Sequence, residues 1–274
     1  MPERVPRCGI VGSDMSGEKS ASYSAPALEK GLDIVELLSR EEVGLTQSEI
    51  ARALGRTVSE IFRMLMVLKA RGYVSQDPVS DRYALTTFVF EIAHRIPTVG
   101  RLSAIAEPVM RELTRTIQQS AHLAILGEGG VLVVAQINSP GNNNMSVRLG
   151  SLIDTWRASS GRVIIAFSDD ETVTRLLREE PLPPGTTESR IREELAGIRA
   201  AGHEVRDSFV IRGIVNISSP VLDHSGHAIA ALTVPHIERL QDGVPFETCR
   251  IAVIDAAARI SRSLGWSAGT GGPA

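Results

Sequence analysis

The sequence predicts an α+β protein with an N-terminal winged helix-turn-helix, linker helices and a larger C-terminal domain of helices set against an antiparallel sheet. Three observations predict it. Two Thr-x-x-Glu boxes begin at Thr46 and Thr57, eleven residues apart, with Gly55 between them. Two short alternating runs then flank the turn-forming stretch Asp77-Pro78-Val79-Ser80-Asp81. Beyond Ser120, brief β-type runs and separate helical stretches replace the closely spaced helices. Helices and strands that segregate along a chain favour α+β over an alternating α/β architecture.

From Ala27 onward, Leu28, Leu32, Val35 and Leu38 step at helical spacing and predict a first helix. In a Thr-x-x-Glu box the hydroxyl accepts from the backbone N–H three residues on, and the carboxylate returns to the threonine N–H. The first box opens a short helix carrying Ile50 and Leu54, and Gly55 suits its left-handed end. The second opens a longer helix with Ile61, Met64, Leu65 and Leu68 on one face, ending at Arg71-Gly72. A hairpin over 73–76 and 82–85 makes the wing. Residues 98–119 read as helix, with Leu102, Ile105, Val109, Leu113 and Ile117 on a stripe. Pro108 should interrupt it as the first residue of a second helix.

Strands are predicted over 122–126, 131–137 and 145–149, with a loop over 139–144. Helices follow over 161–167, 170–178 and 188–201, with a proline-rich break at 181–184. Strands over 204–207, 214–222 and 228–234 and a helix over 246–264 complete the domain. The domain boundaries expected are a disordered tail over 1–24, a winged helix-turn-helix over 25–95, linker helices over 96–119, a C-terminal α+β domain over 120–266 and a second disordered tail over 267–274. Met15 is an alternative start to Met1.

Composition excludes some classes. With 43% apolar and 22% charged residues the chain has enough apolar side chains for a core. Its 29 basic and 32 acidic residues leave −3, so no global field advertises a polyanionic partner, and any such partner must meet a local patch. Of the basic residues only Lys19, Lys30 and Lys69 are lysines. Two cysteines, Cys8 and Cys249, with the first in a loose tail, argue against a structural disulfide and for a reducing compartment. No signal-peptide core and no run of about 18 apolar residues is present, so a cytoplasmic protein without a membrane partner is expected.

The order and spacing of several segments resemble the IclR family of bacterial transcription regulators over roughly residues 27–265. Residues 28–38 (LEKGLDIVELL) look like the family's first helix, and Leu45 through Arg63 to Gly72-Tyr73-Val74 like its helix-turn-helix and wing entry. Ala121-His122-Leu123-Ala124, Ala158-Ser159-Ser160-Gly161-Arg162, residues 213–221 and Ala231-Leu232-Thr233-Val234-Pro235 resemble its effector domain. The resemblance implies a GAF-like C-terminal domain that binds a small molecule, and a homodimer or homotetramer on palindromic double-stranded DNA.

Over 52–71 the basic residues Arg52, Arg56, Arg63, Lys69 and Arg71 face Glu60 alone, whereas 27–95 as a whole holds nine basic and ten acidic residues. The charge therefore concentrates at the turn and second helix, where phosphates are met. The face opposite Ile61, Leu65 and Leu68 presents Val58, Ser59, Phe62, Arg63 and Met66. Ser59, Phe62 and Arg63 are the expected base readers, Arg63 by a bidentate contact to guanine or by holding a phosphate. Val58 suits a thymine methyl, and Arg56, Thr57 and Arg82 on the wing suit phosphates. The family often has a basic residue where Val58 stands and a hydroxyl where Glu60 stands, so its operator preferences do not transfer.

Within the strand 214–222, Asn216, Ser218 and Ser219 interrupt an apolar run, and Thr233 lies on the returning strand. A four-residue loop sets Asn216 opposite Thr233, and a two-residue turn sets Ser218 there. Both put Asn216, Ser218 and Thr233 on one face, which suits a ligand or plain solvent. The resemblance implies effector contacts at Ser159, Ser160, Asp207, Asn216, Thr233 and Pro235. In the family a small residue or cysteine commonly stands where Asn216 does. Hydroxyls and N–H groups at a helix start favour a carboxylate, with Arg157 or Arg162 adding charge. The expected effector is a small organic acid or an aromatic compound.

Asp223-His224-Ser225-Gly226-His227 holds metal-ligand types, but its pattern is turn chemistry, and no metal or cofactor is expected. His122 reads as either a pocket wall or a satisfied core residue, the second being preferred. No nucleophile elbow, Walker or dinucleotide pattern occurs. The expected function is a ligand-responsive transcription regulator, a repressor and not an enzyme. The alternative is an enzyme or protein-interaction module carrying a winged-helix appendage.

Overall fold

The computed structural model describes residues 25–94, 97–141, 144–239 and 243–267. The tail expected over 1–24 and nearly all of that over 267–274 lie outside the described residues. The chain divides into two compact units, between Ala93 and His94.

In the first unit, α1 (Pro26–Leu38), α2 (Gln47–Leu54) and α3 (Val58–Ala70) pack around Ile34, Leu38, Ile50, Ala51, Ile61 and Leu65. Both capping boxes form: Thr46 and Thr57 each accept from the glutamate N–H three residues on, and each glutamate accepts from the threonine N–H. Gly55 ends α2 at φ 63°, the left-handed conformation that glycine adopts without a Cβ penalty and that turns the chain into α3. Three short strands, β1 (Leu45–Thr46), β2 (Val74–Gln76) and β3 (Arg82–Leu85), form an antiparallel sheet in the order β1-β3-β2. Val74 and Tyr83 close the core from that sheet. A helix not anticipated from sequence, α4 (Phe88–His94), follows, and Phe88 packs edge-on against Tyr73.

The second unit is built on a six-stranded antiparallel sheet in the order β6-β5-β4-β9-β8-β7. Its strands are β4 (Ala121–Gly127), β5 (Gly130–Ile137), β6 (Leu152–Ile153), β7 (Glu204–Asp207), β8 (Ile214–Leu222) and β9 (Ala228–Ile237). α5 (Pro97–Ile117) and α9 (Phe246–Ser263) pack on one face with Leu123, Ile217, Leu232 and Val234. α6 (Ser159–Ala166), α7 (Asp170–Glu179) and α8 (Glu188–Ala201) cover the other with Ala124, Val131 and Ala231. Alternate residues of β9 thus enter opposite layers.

Three sequence expectations need correction. α5 runs through Pro108 unbroken. The missing N–H and the ring clash cost about 3 kcal/mol, but the buried stripe Leu102, Ala106, Met110, Leu113 and Ile117 needs one continuous helix. Residues 145–149 form no strand. The chain rejoins β5 only at 150–151, where the Gly150 N–H donates to the Val133 carbonyl and the Val133 N–H to the Ser151 carbonyl. Met145 and Val147 are half-buried and Ser146 and Arg148 exposed, but all four line one cavity as part of a covering loop, without a partner strand. The β8–β9 connection has neither loop length considered. Leu222 pairs with Ala228 across a five-residue loop, and a bulge at Ile229 restores the pairing of Ser218 with Thr233 and Asn216 with Pro235.

Candidate functional site

The two units each carry a candidate site. On α3, Ile61 and Leu65 are buried, while Val58, Ser59, Phe62, Arg63 and Met66 share the exposed face. The α2–α3 turn is fixed by more than Gly55, because the Gln47 side chain donates to the Val58 carbonyl at 3.0 Å. Thr57 uses its hydroxyl and N–H in the capping box. Glu60 is spoken for as well. Lys30 of α1 lies 2.5 Å away, and hydrogen bonds from that ammonium and from Thr57 hold the carboxyl down at about 2.

Two arginines expected at phosphates have partners inside the unit. Arg56 pairs with Asp33 of α1 at 2.7 Å. Arg82 donates to the Gly44 carbonyl at 2.9 Å and pairs with Glu49 at 3.0 Å. Arg63 is exposed and has no ion-pair partner among the described residues. At the wing, Asp77 accepts from the N–H groups of Val79 and Ser80, which leaves the Val79 side chain outermost.

The second unit holds a cavity of about 310 Å3 between the α6 face of the sheet and two covering loops. One polar row crosses β4, β9, β8 and β7 there, because His122 pairs with Thr233, Thr233 with Ser218 and Ser218 with Glu204. Part of the row is satisfied internally. Glu204 binds buried Arg162 at 2.7 Å, and the Ser218 and Thr233 hydroxyls share a hydrogen bond at 2.7 Å. The other part is open: His122 Nδ1 and Glu204 Oε2 are buried without a hydrogen-bond partner, as is Ser159 Oγ at the start of α6. Burial pushes the His122 imidazole down to about 4, so it is neutral at pH 7.

α6 starts at this cavity with no side-chain cap on its N-terminus. Its approach is set by Gly161, where a Cβ would stand 2.2 Å from the Thr155 carbonyl oxygen. A helix N-terminus with hydroxyls beside it accommodates a carboxylate.

Of the predicted effector residues, Ser159, Ser160, Asn216, Thr233 and Pro235 all line this cavity. Ser218 lies behind Thr233, fully buried and bonded to it. Asp207 pairs with Val215 and so projects from the opposite face of the sheet to Asn216. The cation on the wall is Arg148. Arg162 is instead locked to Glu204 and Glu194, and Arg157 stacks over Phe209 at 4.8 Å. His122, Met145, Ile153, Phe209 and Ile214 also line the cavity, and sequence reasoning assigned none of them to it. His122 is therefore a wall of the cavity and not the satisfied core residue preferred from sequence, because the β4–β9 pairing puts it beside Thr233.

Asp223 accepts from the N–H groups of Ser225 and His227 in the β8–β9 turn, and no cluster of metal-ligand side chains occurs among the described residues. Among the described residues, no helix is long and apolar enough to cross a membrane.

A winged helix-turn-helix joined in one chain to a ligand-sized cavity defines a DNA-binding regulator that answers to a small molecule. Residues 98–262 match the family described as bacterial transcriptional regulator IclR, C-terminal, and residues 27–78 match the IclR helix-turn-helix domain. The chain belongs to the IclR family of transcription regulators. It is 30% identical over 244 residues to the glycerol operon regulatory protein of Streptomyces griseus, covering 87% of this chain and 96% of that one. It is 29% identical over 256 residues to the HTH-type transcriptional regulator KdgR of Escherichia coli K12, covering 89% and 94%. In structure it resembles an IclR homolog from Microbacterium hydrocarbonoxydans complexed with 4-hydroxybenzoate, with a TM-score of 0.73 and 23% identity over 87% of this chain and 98% of that one.

Proposed function

We propose that this regulator is a cytoplasmic repressor that occupies palindromic operator DNA as a homodimer or homotetramer and is controlled by a small organic acid, aromatic acids included. Residues 25–95 bind DNA, 96–119 link, and 120–266 hold the effector. Arg63, Ser59, Phe62 and Val58 meet base edges; Arg56, Thr57 and Arg82 serve at the backbone, the two arginines by exchanging their present carboxylate partners for phosphates. Ser159, Ser160, Asn216, Thr233 and Pro235 contact the effector directly, while Ser218 acts through its hydrogen bond to Thr233. Repression needs only occupancy of DNA, and the exposed face of α3 supplies that without a further surface.

The observation that carries the effector class is the meeting of an uncapped helix N-terminus with two buried, unpartnered polar atoms, Ser159 Oγ and His122 Nδ1, in a cavity otherwise largely apolar. A carboxylate suits the helix end, and neutral His122 suits a hydroxyl on the same ligand. The 4-hydroxybenzoate held by the Microbacterium homolog has both groups. Control requires the acid to bind the DNA-free state more tightly than the DNA-bound one.

Fluorescence anisotropy of the full chain on DNA from upstream of its own gene, against scrambled DNA and across a salt series, tests this. Specific, salt-sensitive binding is expected, weakened about tenfold or more by Arg63→Ala. Titration with 4-hydroxybenzoate and a panel of small organic acids should release the DNA, and Asn216→Leu should blunt release without weakening DNA binding. Release only by cations or bases would refute the effector class. Binding indifferent to both sequence and salt would refute operator recognition.

A further inference from the structure

We infer that the operator half-site is read chiefly through thymine methyl groups, by a stripe of three exposed apolar side chains on α3: Val58, Phe62 and Met66. The inference rests on the proposed reading of α3 as the DNA-contacting helix and specifies what that helix recognises.

The three residues recur every fourth position and are 47%, 46% and 44% exposed. Residues four apart lie on one face, about 6 Å apart along the axis. Three apolar side chains in a row on an exposed helix face form a binding patch rather than scattered surface apolarity.

The polar groups that would otherwise read base edges there are engaged within the unit. Glu60 is turned back to Thr57 and Lys30, Arg56 is held by Asp33, and Thr57 is used by the capping box. On the exposed face of the first two turns only Ser59 and Arg63 offer hydrogen bonds. In the major groove the one apolar feature that distinguishes base pairs is the C5-methyl of thymine. A methyl-reading stripe with 6 Å steps meets thymines about two base pairs apart, since base pairs rise about 3.4 Å each. Arg63, on the edge of the stripe, adds a single guanine or phosphate contact.

The test begins by selecting an operator from randomised duplexes with the full chain. Each thymine of the half-site is then replaced in turn by deoxyuridine, which removes the methyl and keeps every hydrogen-bonding group. Two or three positions per half-site should each lose roughly fourfold in affinity, the value of one buried methyl-sized group. In Phe62→Ala, and separately in Val58→Ser, the deoxyuridine penalty should vanish at one position each while the salt slope stays unchanged. Both side chains are exposed, and circular dichroism checks that the variants remain folded. Specific, salt-sensitive binding that stays within twofold at every deoxyuridine would overturn the methyl reading alone. Failure to enrich any sequence would overturn it together with the operator reading beneath it.

Discussion

The imidazole of His122 is held at about 4 by burial, against an ordinary value of 6.5, and nothing within hydrogen-bonding distance of Nδ1 compensates. The unfolded chain therefore takes up a proton, as pH falls below 6.5, that the folded chain refuses until about 4. Stability is complete above that window and declines within it, by up to about 3 kcal/mol. His236, also depressed by burial, acts in the same direction. The contribution of His122 is thus the difference between the wild type and His122→Gln in urea unfolding at pH 7 and pH 5. The wild type should lose the larger share of its stability over that interval, and equal losses would show that His122 is not held neutral. Arg162 makes the opposite case. It is buried but paired with Glu204 and Glu194, so its charge is compensated and it serves the architecture of the pocket rather than the ligand.

At the scale of elements, α3 depends on the reciprocal bonds between Thr57 and Glu60, and losing such a cap costs about 1 kcal/mol. Thr57→Ala should lower stability by that amount and weaken specific DNA binding, because the same residues set where Val58 and Phe62 emerge. Unchanged unfolding in Thr57→Ala would mean that Lys30 alone secures the helix start. Where local chemistry decides, the sequence was legible: both boxes, the Gly55 end of α2, the wing hairpin and the limits of α8 follow from spacing and turn residues. Where a distant partner decides, it was not. Pro108 sits inside an intact helix because α5 packs along the sheet and α9, a contact that no local window contains. Residues 145–148 alternate like a strand but form a loop that covers a cavity. The polar face of β8 was legible as a row, but Asp207 required the β7–β8 register to place it on the opposite side.

For the whole molecule, the two units have separate apolar cores, one around Ile34, Ile61 and Leu65, the other on the two faces of the six-stranded sheet. Separate cores predict separate responses to changes made in one unit. Calorimetry of the full chain should resolve two transitions. An effector at a hundred times its Kd stabilises only the unit that binds it, by about 2.7 kcal/mol. For a unit of this size that is a rise of roughly 5–10 °C in one midpoint. Thr57→Ala should move the other midpoint down by roughly 4–8 °C and leave the effector-sensitive one in place. If the effector moved both midpoints together, the units would be energetically coupled in free protein, and ligand control would pass through their packing. If it moved one alone, control must arise only once the protein is on DNA. In that case the difference in effector affinity is carried by the DNA-bound assembly, and it should be absent from the free chain.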